Sequence, residues 1–319
     1  MKRSLKFLAA VAGTACFLVA LGVWAAGLGS WRTAAPMPLE RTEVATAALD
    51  GKIYVIGGFK TFFIGGVTDA VQKYDPALDR WEDRAPLPQA LHHVAVAGID
   101  GKLYVVGGYL HVWPWQPVAS LWRYDPSTDR WEARRPMPTA RGALAVAVLN
   151  RKLYAVGGMA DQVLRATEEY DPATDIWRER APMPTGRDHL AAAALEGTLY
   201  AVGGRVGSLD RNLAVIEAYD PAADRWEARR PMPSPRGGIA AAALGGRLFV
   251  FGGEESTRTL AQTEAYDPVT DRWTTMAPMP TARHGLGAAA VGGKIYVIGG
   301  GIRPRASRSN LNEVFNPGP

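Results

Sequence analysis

The chain has 319 residues, 47% hydrophobic and 21% charged, a balance that excludes a disordered polypeptide and suffices for a large buried core. Thirty-five glycines and 23 prolines favour turns and strands over long helices. The net charge is +5, but setting aside Lys2, Arg3 and Lys6 leaves 33 basic residues against 31 acidic ones, with no run of five like charges, which excludes bulk attraction to nucleic acid as the basis of function.

Residues 1–27 open with those basic side chains and continue without a charge from Phe7 to Ser30. A basic start, an apolar run and small residues around Val23 to Gly27 are the pattern of a secretory signal peptide. At about 22 residues the run is also long enough to remain as a signal anchor, since roughly 20 span a bilayer. Cys16, the only cysteine, offers a third outcome in lipid attachment, although Gly13-Thr14-Ala15 is a poor setting for it. In every case residues 28–319 are expected on the exported side, periplasmic or secreted, with membrane contact only through residues 7–28. Once the segment is removed no disulfide or thiol chemistry is available.

Six repeats follow. Diglycines at 57–58, 107–108, 157–158, 203–204, 252–253 and 299–300 are spaced by 50, 50, 46, 49 and 47 residues, and Trp31, Trp81, Trp131, Trp177, Trp226 and Trp273 keep the same steps. Each repeat reads as four strands. The first is small and apolar, as in GALAVAVL (142–149), and a two-residue turn such as Asn150-Arg151 leads to KLYAVGG, a hairpin pattern. The third strand ends in Tyr-Asp-Pro, as in EEYDP (168–172), where Asp before Pro starts a tight turn. The fourth carries the tryptophan. Four antiparallel strands repeated radially are the blades of a β-propeller, with glycines where the wedge is narrow and Tyr and Trp where it is wide.

A strand ending in Gly-Gly, a strand ending in Tyr-Asp-Pro, then Trp and Pro-Met-Pro, resembles the kelch repeat over residues 31–317. The resemblance implies an all-β, six-bladed kelch propeller, and the chain is expected to be a monomer without a cofactor. The first repeat begins with SWRTAAPMP, a fourth strand without partners before it, and the last ends at EVFNPGP, a third strand without a fourth after it. The N-terminal strand should therefore complete the sixth blade, with Phe315-Asn316 replacing Tyr-Asp at the seam.

All length variation lies between the diglycine and Tyr-Asp, the link from second to third strand. That link shares a face with the link from fourth strand to first, which carries Arg41, Arg141, Arg187, Arg236 and Arg283, with Leu91 the exception. Sixfold geometry places these arginines in a ring, either forked onto carboxylates of a ligand or fixing each blade through its own carboxylates and carbonyls. His92, His93, His189 and His284 follow one or two residues later, as polar channel lining or, less simply, as metal ligands without close spacing. The longest loops carry Phe62 and Phe63, and Trp113 and Trp115, as anchors for a partner or sugar or as covers for their own blades.

The sequence thus predicts a binding module for a peptide, protein or glycan on the loop face, with neither nucleic acid nor metal involved. The alternative is a cofactor-free enzyme on sugars. Kelch propellers include a copper radical oxidase that needs a cysteine joined to a tyrosine, which this chain lacks beyond Cys16. They also include a sialic acid mutarotase of similar architecture, whose chemistry needs only general acids and bases. Glu40, Glu43, Asp188, Asp210 and the histidines are the candidates for that work.

Overall fold

A computed structural model describes residues 28–318, so the expectations for residues 1–27, Cys16 included, lie outside the described residues. Six four-stranded antiparallel sheets form the blades. Blade one runs Ala45–Leu49, Lys52–Ile56, Val71–Asp75 and Arg80–Arg84, and its pattern recurs around the ring. The last blade consists of Gly287–Val291, Lys294–Ile298, Asn312–Asn316 and, as its outer strand, Ser30–Thr33. Trp31 lies opposite Phe315 in that pairing, so the ring closes between the two ends of the chain.

The repeated residues account for the stacking. Buried apolar side chains fall into six clusters, one in each wedge between neighbouring blades. Every repeat tryptophan donates its indole N–H to a carbonyl of the preceding blade, from Trp81 to Ala35 at 2.9 Å around to Trp31 and Ala277 at 2.9 Å. Each Tyr-Asp-Pro tyrosine donates to the aspartate five residues on, as Tyr170 does to Asp175 at 2.7 Å, and that aspartate also accepts a backbone N–H from the preceding blade, here Arg135 at 3.0 Å. Phe315 has no such aspartate after it, because its fourth strand comes from the other end of the chain. Like the tyrosines of the other blades, it packs against its tryptophan, here Trp31, ring centroids 5.0 Å apart.

The diglycines form the inner weld. The second glycine of each pair donates its N–H to the carbonyl of the next blade's arginine position, as Gly158 does to Arg187 at 2.9 Å and Gly300 to Arg41 at 2.9 Å. A Cβ on Gly157 would lie 2.6 Å from that Arg187 carbonyl oxygen, and the residue sits at φ 61°, so only glycine fits.

Candidate functional site

The five arginines are fully buried. Arg141, Arg187, Arg236 and Arg283 each pair with a glutamate on the third strand of their own blade, Glu168, Glu217, Glu264 and Glu313, at 2.5–3.0 Å. Their second nitrogen donates to a carbonyl of the second strand, as Arg187 Nη2 does to Ala201 at 3.0 Å. Arg41 meets Gln72 at 3.0 Å instead. In blade two, where Leu91 replaces arginine, Trp122 stands at the glutamate position, opposite Val105 as Glu217 is opposite Ala201. In blade two both partners are gone, while blade one keeps the cation and exchanges the carboxylate for the neutral Gln72. The ring of guanidiniums expected at the mouth is corrected to five clamps inside the blades, because side chains with no exposed surface cannot fork onto a ligand.

The open chemistry begins two residues later. Glu43, His93, Ala143, His189, Gly238 and Gly285 occupy one equivalent position in the six blades, all at φ of 51–68°. Left-handed backbone costs a non-glycine residue roughly 1–2 kcal/mol, and here it serves a hydrogen-bonded belt. The N–H of each belt residue donates to the belt carbonyl of the preceding blade, from Glu43 to Gly285 at 2.8 Å around to Gly285 and Gly238 at 2.9 Å. Val44, Val94, Leu144, Leu190, Ile239 and Leu286 follow the belt and make the axis apolar and narrow. Only Glu43, His93 and His189 bear side chains beyond Cβ, so the symmetric belt is decorated on blades one, two and four alone.

Residues after the diglycines frame this cluster. Arg205 and Glu254 follow the pairs of blades four and five and bridge back to Asp188 and Gly237, the residues before the belt. Arg205 donates to Glu254 Oε1 at 2.9 Å and to His189 Nε2 at 2.8 Å, and lies 3.4 Å from Asp188. His189 donates its Nδ1–H to Asp188, whose other oxygen accepts the Gly207 N–H at 2.9 Å. His284, expected beside the other histidines, lies instead against Glu254 at 3.3 Å and the Arg305 carbonyl at 3.1 Å.

Donor counting orders the protons. His92 Nε2 lies 2.9 Å from the His111 carbonyl, which can only accept, so Nδ1 of a neutral His92 must accept in turn. His93 Nδ1, 2.5 Å away, therefore donates, which leaves His93 Nε2 as an acceptor facing Glu43 Oε2 at 3.2 Å. A protonated Glu43 completes the chain. Burial, with the Glu254 charge adding to it, pushes the Glu43 carboxyl up to about 8. Burial holds His93 well below the usual imidazole range and lowers His189, which Arg205 pushes further down. Burial alone would raise Asp188, but the hydrogen bond from His189, with those of the Gly207 N–H and the nearby Arg205 charge, outweighs it and leaves Asp188 ionised. The result is a neutral acid opposite a neutral base, their outer atoms and those of His93 within 4.8 Å of one another. That spacing of two imidazoles and a carboxylate is also one a metal ion could bridge.

A cavity of about 290 Å³ opens on this cluster. Its polar floor is Glu43, His93, His189, Arg205, Glu254 and Arg305. Its wall is apolar, with Phe59, Phe62 and Trp115 prominent, and Trp115 packs 4.7 Å from His93 between ring centroids. Phe62 and Trp115 thus reach the site, Phe63 and Trp113 lie outside it, and Glu40 and Asp210 line none of it. Sequence reading missed Arg205, Glu254 and Arg305. The first two were marked only by following a diglycine, a position otherwise filled by Phe59, Tyr109, Met159 and Gly301.

Residues 32–204 and 136–300 match the model of the KLHDC2/KLHL20/DRC7 Kelch-repeats domain. The solved structure of YjhT aligns with a TM-score of 0.74 over 87% of this chain and 95% of that chain, at 17% identity, a likeness of fold. No curated protein matched.

Proposed function

We propose, from the premise that this chain belongs to the kelch-repeat family, that its loop-face cavity is a cofactor-free acid–base site for a reducing sugar, interconverting the two anomers by opening and reclosing the ring. The observation that carries the reading is the Glu43 carboxyl lying within 4.8 Å of the Asp188-backed His189, and burial that pushes Glu43 up to about 8 accords with its serving as the acid. A hemiacetal opens when an acid protonates the ring oxygen while a base removes the proton of the anomeric hydroxyl on the same carbon. Glu43 supplies the first proton and His189 Nε2 accepts the second. The hydroxyl takes the place of Arg205 at Nε2, and the freed guanidinium stabilises negative charge developing on oxygen. Asp188 holds the His189 tautomer and stabilises the imidazolium that forms, while His92 keeps His93 Nε2 turned toward Glu43. The carbonyl compound then recloses on either face, with the protons returned along the same two groups.

The cavity volume of about 290 Å³ and its aromatic wall suit one sugar ring better than an extended peptide. We place this activity on the exported side because residues 1–27 have the pattern of a signal peptide or anchor, and take the propeller to act as a monomer. The test is anomer exchange measured by magnetisation transfer on common aldoses and amino sugars. Exchange should accelerate with the native protein and fall by 10²–10⁴-fold with Glu43→Gln, the usual loss for a positioned acid or base. Exchange equal to buffer for every sugar tried, or unaffected by Glu43→Gln, would overturn the reading.

A further inference from the structure

The sugar cavity does not end at Phe62 and Val112. Those two side chains also line a second cavity of about 390 Å³, between the long loops of blades one and two. Its other walls are Phe63, Ile64 and Trp113, with His111 the polar residue among them. Phe63 and Trp113 are 79% and 84% exposed and Ile64 fully so. Exposed large apolar side chains gathered on one rim usually mark something that covers them. A groove that shares two walls with a polar pocket is most simply covered by the remainder of whatever occupies that pocket.

We propose that the two cavities form one amphipathic site, taking a reducing sugar with an apolar acyl or alkyl arm, the ring over Glu43 and His189 and the arm along Phe63, Ile64 and Trp113. This rests on the sugar reading above and narrows it. Ring opening needs a free anomeric hydroxyl, so the arm must leave from another ring position, as an amide, ester or ether. Simple glycosides, with the arm on the anomeric oxygen, are excluded as substrates. The groove is a slot between two loops rather than a flat face, which suits a single chain. Phe62 and Val112 stand at the junction, where the arm must cross from polar floor to apolar rim.

The test is a series of N-acylglucosamines with acetyl, butanoyl, hexanoyl and octanoyl arms, all with the anomeric hydroxyl free, titrated calorimetrically. An arm covering about half its surface should strengthen binding roughly twofold per methylene, hence about 60-fold from acetyl to octanoyl. Phe63→Ser with Trp113→Ser, at exposed positions outside the acid–base cluster, should flatten that slope and leave the acetyl compound unchanged. A flat series with the native protein, or a slope that survives the double substitution, would overturn the proposal. So would sedimentation with sugar-free phosphatidylcholine vesicles that depends on Trp113, which would mark the rim as a bilayer contact. The same samples report anomer exchange, so a steep binding slope without exchange would refute the catalytic reading and leave the amphipathic site standing.

Discussion

Replacing Arg187 with alanine separates the two roles an arginine ring can have. The side chain is fully buried, with Nη1 2.6 Å from Glu217 and 2.8 Å from the Thr185 carbonyl, and Nη2 3.0 Å from Ala201. Without it the Glu217 carboxylate, itself buried, keeps only the Thr185 hydroxyl at 2.8 Å. Removing one partner of a buried pair costs about 3–5 kcal/mol, a large share of a typical domain stability of roughly 5–15 kcal/mol. Blade two supplies the control, since Leu91 is buried in an apolar cluster with Trp122 packed against it. Replacing both partners with apolar groups is often near neutral, so Arg187→Leu with Glu217→Trp should recover most of the loss, to within about 2 kcal/mol of the native protein. Urea unfolding at pH 7, followed by tryptophan fluorescence, gives both values and their coupling. If Arg187→Ala costs less than about 1 kcal/mol while sugar affinity drops at least tenfold, the clamp assignment is wrong and the guanidinium serves the ligand.

Three further outcomes follow from the structure. With the Glu43 carboxyl at about 8, exchange should hold a plateau from pH 6 and fall above about pH 8 as the acid form is lost, a limb absent in Glu43→Gln. The linked stability has a definite sign. An unfolded glutamate releases its proton near 4.5 while the folded one retains it to about 8, so this contribution is full below 4.5, declines across the interval and is gone above 8. Melting curves of the native protein and Glu43→Gln over that interval should therefore converge or cross, and parallel curves would contradict the buried acid. At the seam, Trp31→Ala removes the indole bond to Ala277 and the packing on Phe251 and Phe315, and should cost about 2–3 kcal/mol for a half-buried aromatic. An unchanged urea midpoint would mean that the N-terminal strand does not hold the ring closed.

The propeller was legible because its physics repeats. Diglycine and tryptophan each make the same contact in every wedge and Tyr-Asp-Pro in five, so the copies reinforce one reading, and the missing outer strand pointed to its own replacement at residues 28–33, of which 30–33 form the strand. The site was less legible for the opposite reason. It is made where the repeat breaks, and a break has no second copy to support it. His93 and His189 stood out as histidines, yet His92 and His284 looked equal to them, and only the belt register shows that one pair faces the axis while the other is held by backbone carbonyls. The arginines misled because a repeated buried ion pair and a repeated ligand fork leave the same trace at one position. Their glutamates lie 27–30 residues on, and the joint loss of both partners in blade two was the available signal.

The belt also explains why a site should arise on this scaffold. Six left-handed residues, joined in a closed circle of backbone hydrogen bonds, fix six Cβ directions toward one axis whatever the side chains are. Ala143, Gly238 and Gly285 leave half of that circle without side chains beyond Cβ, and a Cβ on Gly285 would meet Glu43 Oε1 at 2.5 Å, so the small residues are what admit the acid. Preorganisation comes from the belt, and the pKa displacement comes from burial among aromatic walls. Loop length is free to vary beyond the first residue after each diglycine, the part of the link bridged to the residue before the belt. On the proposed reading, chemistry and specificity sit on separate layers of the same face. The belt would supply acid and base, Arg205 and Glu254 after the diglycines of blades four and five would hold them, and the long loops of blades one and two would decide what lies above.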